Sequence, residues 1–369
     1  MNQRIPNSNS IILTGKEWLV TIGIFLIISF GLYFGWYHWE KLSVETDYRS
    51  TCWEERMSDY WAFSQWSRIA CDKFKILLIG DSVVWGQEVS NTETISHYIN
   101  QELGNEEVAN LGIDGLNNAA MIGMFSYYAR YIHKKKIILV FNPLRMTNPS
   151  RDNRGKGKDL LRFYHPRLVP QFDRRISYYI NLNERLGYLA ENYLRLPSFV
   201  RHLIVNYFEN KSLAVWLMDH PYQLPFSAIT FQGAPMMKKK QGLGIAWSNR
   251  KGARKSNDPF MSLNESIQWE YFLKAIKLLK NKGNNVFVLL GPYNTYCMTD
   301  ESRKRFFAMM DTVKKKLDEL GYPYFDSTND LLPSEEYADN CHALKGGHII
   351  LAQALTGDVK FRQWLGSLK

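Results

Sequence analysis

Residues 18–37 (WLVTIGIFLIISFGLYFGWY) form one apolar run without a charge. At 1.5 Å rise per residue this is about 30 Å of helix, the hydrocarbon thickness of a bilayer. Trp18, Trp36, Tyr37 and Trp39 stand at its two ends, where amphipathic rings settle at a membrane interface. A signal peptide has a shorter apolar core ending in small residues, whereas this run ends in bulky aromatics. The pattern predicts an uncleaved transmembrane anchor over residues 18–39. A tail (1–17) precedes it and a juxtamembrane linker (40–72) follows.

From residue 73 the pattern changes to short apolar runs alternating with helical periodicity. Residues 75–80 (KILLIG), 108–112 (VANLG), 136–142 (KIILVFN) and 285–291 (NVFVLLG) read as strands, with a weaker fifth at 322–326. Helices are predicted over 92–103, stopped by Gly104, over 117–133, and over 301–320, closed by Gly321. Ser262 and Glu265 form a capping-box pattern before a long helix that ends at Gly283. Continuous apolar strands alternating with helices predict an α/β fold whose parallel sheet is covered on both faces. The stretch 144–261 breaks this rhythm. It is an insertion within a single domain, 73–369, and its middle, 176–208, is aromatic and helical in pattern.

Composition narrows the class. With 45% hydrophobic and 22% charged residues among 369, global disorder and a fibre are excluded. A mean hydropathy of -0.31 excludes a multi-span transporter but leaves room for one span. Net charge is +10, from 46 Lys and Arg against 36 Asp and Glu, which favours anionic partners. Much of the basic clustering lies in the insertion: Arg145, Arg151, Arg154, Lys156, Lys158 and Arg162, then KKK and RKGARK within 238–255. Such runs read either as solvated loops or as a surface for lipid head groups, acidic polymer or a membrane partner. Arg4 and Lys16 precede the apolar run against Glu17, while Glu40, Lys41, Glu45, Asp47 and Arg49 follow it. The positive-inside rule then predicts a cytoplasmic N-terminus and an exported body, which argues against nucleic acid as the partner. Four cysteines in an exported chain allow Cys52 to pair with Cys71 and Cys297 with Cys341, four buried thiols being the alternative.

The candidate chemistry lies at two places. The first strand runs into Gly80-Asp81-Ser82, which puts a hydroxyl at the carboxyl end of a parallel strand, where open α/β sheets bind ligands. A serine nucleophile needs a base, and the base needs an orienting carboxylate. Asp339-Asn340-Cys341-His342 supplies both three residues apart, before Gly346 and Gly347 open the last helix. His348 is the rival base but falls on that helix, and Asp81 reads as a turn residue bonding the backbone. His97, His133, His165, His202 and His220 have no partner in sequence. No metal-ligand spacing and no phosphate loop occurs, so neither a metal nor a cofactor is expected.

These motifs resemble, in order, the blocks of the SGNH (GDSL-type) hydrolases, serine esterases and acyltransferases on a flavodoxin-like three-layer α/β/α sheet. Gly80-Asp81-Ser82 with Trp85-Gly86 resembles the first block, Asn110-Leu-Gly112-Ile-Asp-Gly115 the second, and Asp339 with His342 the last. The resemblance spans about 73–142 and 285–369. It implies a catalytic Ser82, Asp339 and His342, with oxyanion donors Ser82 and Gly115. The third block departs from the family pattern, leaving Asn142 as the nearest third donor and Asn148 as a poorer one. A single anchor before a basic body is similar to envelope-polymer acylation proteins, among them the D-alanyl transfer protein DltD. The implied activity is a membrane-anchored, extracytoplasmic serine esterase or O-acyltransferase acting on an envelope glycan or lipid ester beside a polytopic membrane acyltransferase. A hydrolase of lipids or small esters, and a catalytically silent scaffold, are the alternatives.

Overall fold

The computed structural model describes residues 13–42, 46, 59–156, 164–232 and 244–367. Five strands, β1 (Ile76–Gly80), β2 (Val108–Gly112), β3 (Lys136–Phe141), β4 (Asn285–Leu290) and β5 (Tyr324–Asp326), form one sheet of order β2-β1-β3-β4-β5. Every pairing is parallel, with Ile76 opposite both Val108 and Lys136. In chain order the helices are α1 (Gly15–Trp39), α2 (Tyr60–Lys73), α3 (Ser82–Trp85), α4 (Ile95–Leu103), α5 (Asn118–Gly123), α6 (Leu182–Leu194) and α7 (Leu196–Tyr207). They continue with α8 (Leu213–Asp219), α9 (Pro225–Ala228), α10 (Ile267–Asn281), α11 (Asp300–Glu319), α12 (Lys345–Gly357) and α13 (Val359–Gly366).

Side chains alternate across a strand, so each strand feeds two cores. Leu77, Ile79, Ile137, Leu139, Val286 and Val288 meet Trp66 of α2, Ala120 of α5, Phe272 of α10 and Phe306 of α11. Ile76, Leu78, Ile138, Val140, Phe287 and Leu289 meet Ile99 of α4, Leu351 of α12 and Phe361 of α13. Burial on both faces is why these strands carry apolar residues at successive positions.

Four boundaries differ from the sequence reading. Residues 60–72 of the expected linker belong to α2, because Tyr60, Phe63, Trp66 and Ala70 recur at helical spacing and fill the sheet core. Asp59 caps its start, accepting from the Ala62 N–H at 3.1 Å. The helix expected over 92–103 begins at Ile95, where Thr94 accepts from the His97 N–H. The one expected over 117–133 ends in a widened turn at Met124–Tyr128, closed by Ala129 N–H on the Met124 carbonyl. The cap of α10 is Ser266 rather than Ser262. Asp152, from the insertion, takes the N–H groups of Ile267 and Gln268, both at 3.0 Å.

Helix α1 is long and apolar enough to cross a membrane, with a mean hydropathy of 2.1 over its best window and none of that window buried. A capping box of Thr14 and Glu17 starts it. Its far end is gripped by the body. Trp36 shares a buried cluster with Trp61, Phe199, Tyr207, Phe208 and Trp216, which joins α1 to α2 and to the insertion helices α7 and α8. At its edge His202 of α7 is fully buried between two carboxylates: Nε2 is 2.8 Å from Glu40 and Nδ1 is 2.9 Å from Asp59. Carboxylates only accept, so both ring nitrogens carry protons. Burial alone lowers the His202 pKa, but the charges and hydrogen bonds of Asp59 and Glu40 outweigh it and raise it to about 10.

The sign of the linkage follows. With an unfolded value of about 6.5, the His202 contribution to stability is complete below that pH and is lost as pH climbs through about 10. His202→Leu strands two buried carboxylates and is expected to cost about 3–5 kcal/mol near neutral pH. Thermal unfolding of the full chain in detergent measures it. An unchanged transition would contradict the buried ion cluster.

Candidate active site

The turn from β1 into α3 is packed without slack. A Cβ on Gly80 would lie 2.5 Å from Val84 Cγ2, and one on Gly112 would lie 2.3 Å from the Trp85 backbone nitrogen. Only glycine at both positions lets α3 press onto β1 and β2. Asn110 holds the same helix from the side: its Nδ2 donates to the Val84 carbonyl at 2.8 Å and its Oδ1 accepts from the Gly112 N–H at 2.9 Å. Asp81 caps α3, accepting from the Val83 N–H at 3.1 Å, the backbone-bonding role expected of it. Ser82 therefore stands at the first position of α3, outside the carboxyl end of β1, where the strand order reverses toward β2 on one side and β3 on the other. Its own N–H has no protein acceptor among the described residues.

Asp339 and His342 reach Ser82 from the loop before α12. Asp339 Oδ1 accepts from the Cys341 and His342 N–H groups at 3.0 and 2.9 Å, which folds the four residues into a tight turn. A bridge between Tyr337 and Ala343 closes its base. Asn294, beyond β4, pins the outside by bonds to the Asn340 and Asp339 carbonyls at 2.8 and 3.1 Å. Asp339 Oδ2 then lies 2.7 Å from His342 Nδ1, and His342 Nε2 lies 2.7 Å from Ser82 Oγ. The carboxylate can only accept, so Nδ1 carries the proton and Nε2 is free to accept from the Ser82 hydroxyl.

The pairing also sets the charge states of both groups. Burial raises the Asp339 pKa, but the hydrogen bond and charge of His342, with the two backbone N–H groups, hold it down at about 2. Burial disfavours the His342 imidazolium. The Cys341 sulfur and the Asp339 carboxylate favour it, and the net effect raises its pKa above the ordinary imidazole value.

Other expected residues take different positions. Asn142 donates from Nδ2 to Asp81 at 2.8 Å and faces the Cys341 sulfur at 3.6 Å, while its Oδ1 accepts from the Leu144 N–H. Its amide thus braces the carboxylate beside Ser82, whereas an oxyanion donor had been expected. Gly115 adopts φ +74°, and a Cβ there would meet Tyr164 at 2.8 Å. His348 is buried in α12, and the ring that faces Ser82 is that of His342. Cys297 and Cys341 are free thiols, not the expected disulfide. The Cys297 sulfhydryl donates to the Asn294 carbonyl at 2.9 Å while Cys341 faces Asn142. Cys52, Lys158, Arg162 and residues 238–240, on which other expectations rested, lie outside the described residues.

Two residues of the site escaped the sequence reading. Arg145, taken as part of a basic run, is buried and pairs its Nη2 with Asp81 Oδ2 at 3.1 Å. Its position just past β3, at the same carboxyl edge as Ser82, was the available signal. His165 donates from Nε2 to the Asp114 carbonyl at 2.7 Å, and its Nδ1 accepts from Tyr60 of α2 at 3.0 Å. Burial lowers its pKa to about 4, so it stays neutral and fixes the backbone leading to Gly115. Asp339, Cys341 and His342 also offer metal-ligand atoms within 4.8 Å of one another. A cation there would displace the Nδ1 proton that joins Asp339 to His342. The chain matches no protein-family model and no curated protein.

Asp339→Asn removes the charge that favours the imidazolium. The His342 pKa is then expected to fall, because burial keeps acting against protonation. Histidine Cε1 chemical shifts followed against pH read this directly. A titration unmoved by the substitution would show that Asp339 does not set the base.

Proposed function

We propose that the chain is a membrane-anchored serine esterase or O-acyltransferase of the SGNH type, acting on acyl esters of an envelope glycan or lipid. The observation that carries this reading is the line Ser82 Oγ, His342 Nε2, His342 Nδ1, Asp339 Oδ2, with both hydrogen bonds at 2.7 Å. It has the geometry of a nucleophile with its base and orienter. In this reading His342 takes the Ser82 proton as Oγ attacks the ester carbonyl. The oxyanion is met by the N–H groups of Ser82 and Gly115. His342 returns the proton to the leaving alcohol, and the acyl-enzyme passes its acyl group to water or to a sugar hydroxyl. Asn142 and Arg145 act behind the site, neutralising and holding Asp81 so that α3 presents Ser82.

Helix α1 supplies the anchor. The flanking charges favour an N-terminus in the cytoplasm and a body outside the cytoplasmic membrane. The basic insertion is the surface for anionic polymer or for a polytopic acyltransferase that supplies acyl groups.

A fluorophosphonate probe is expected to label the wild-type chain on Ser82, and Ser82→Ala and His342→Ala to abolish or strongly reduce it. Since a protonated His342 cannot act as base, labelling should rise with pH through its raised pKa, above about 6.5. Labelling that persists in Ser82→Ala would defeat the assignment.

A further inference from the structure

The insertion carries a second feature, outside the site, that the proposed chemistry does not use. Between Leu213 and Phe231 one side of the chain is fixed to the end of α1. Trp216 is buried against Phe208, with ring centroids 5.4 Å apart, in the cluster that contains Trp36. Phe231 packs on Trp36 and Trp39 at 5.0 and 6.2 Å, and its carbonyl accepts from the Lys41 N–H at 2.9 Å. The other side is bare. Met218 is 71% exposed, Tyr222 99%, Leu224 74% and Phe226 84%, with Leu213 and Leu217 also open.

Depth decides what this face meets. Tyr33 of α1 lies one helical turn, about 6 Å, before Tyr37, the last residue of the apolar run. Body residues nevertheless contact it: Trp61 at 4.8 Å and Phe199 of α7 at 5.9 Å. The elements around the end of α1 are therefore held at the level where a spanning helix leaves the hydrocarbon. A contiguous set of large apolar side chains exposed to water is a liability. At a membrane interface, the same face sinks into the boundary of head groups and acyl chains. The nearby charges pair among themselves, Lys211 with Glu209 at 2.6 Å and with Asp219 at 3.1 Å, so they set little against this.

We propose that α8, α9 and the chain on to Phe231 form an interfacial membrane contact in the leaflet where α1 ends. The inference rests on the reading of α1 as a membrane anchor. One helix alone leaves the body free to swivel and tilt. A second contact beside it fixes the face the body turns to the bilayer and the height of Ser82 above it.

The test uses the full chain in phosphatidylcholine–phosphatidylglycerol liposomes with a carbene photolabel carried on the lipid tails, mapped by peptide mass spectrometry. Label is expected in α1 and in residues 212–231, several-fold denser in the latter than in the α13 peptide, whose Val359 is 67% exposed while its Phe361 and Trp364 pack in the core on the other face of the sheet. Leu224→Glu combined with Phe226→Glu should lower the label in 212–231 and leave α1 unchanged. Label in α1 but not above the Val359 level in 212–231 overturns the contact and spares the anchor. That result also follows if a second copy or another protein covers the face. Label absent from both removes the anchor as well.

Discussion

The site depends on one constraint, the passage from a strand buried on both faces into a helix pressed against its end. Strand β1 has no exposed side, so the chain can leave the sheet only at its carboxyl edge. The two glycines, Gly80 and Gly112, remove the Cβ atoms that would hold α3 away. The turn places a carboxylate, Asp81, in an interior where an unpaired charge is costly. Arg145 and Asn142, arriving from the end of β3, answer that charge, and the cap on Val83 uses the remaining oxygen. Ser82 is left as the one polar group of the turn directed at the loop from α12, where His342 meets it.

Much of this was legible in the chain. Strands buried on both faces carry unbroken apolar runs, so four of the five stood out, and their alternation with helices set the α/β class. Ser82, Asp339 and His342 were legible because each is a polar residue at an element boundary, where packing alone does not call for it. Their meeting across 260 residues of sequence was an expectation from motif order and is a 2.7 Å contact in the structure.

What was not legible has physical reasons. Arg145 sits among other basic residues, and a sequence cannot distinguish an arginine paired inside from one in water. Helix α2 was hidden because aromatic spacing after a long apolar run resembles an interfacial belt; in the fold Trp66 and Phe63 belong to the sheet core, while Trp61 packs in the cluster with Trp36 of α1. His165 and His202 had no partner within reach along the chain. Each finds one more than a hundred positions away, His165 in Tyr60 and His202 in Asp59. The bond from the Asn142 amide to Asp81 joins two positions 61 residues apart and carries no signal in the sequence.

The central claim is that Ser82 becomes the acyl carrier with His342 as its base. Its most direct measure is the mass of the protein after brief exposure to an activated acetyl ester and an acid quench. The account predicts one added acetyl group, mapped to the Ser82 peptide in the wild-type chain and missing from Ser82→Ala and His342→Ala. An acetyl group on another residue, or equal acetylation of the His342→Ala chain, would contradict it.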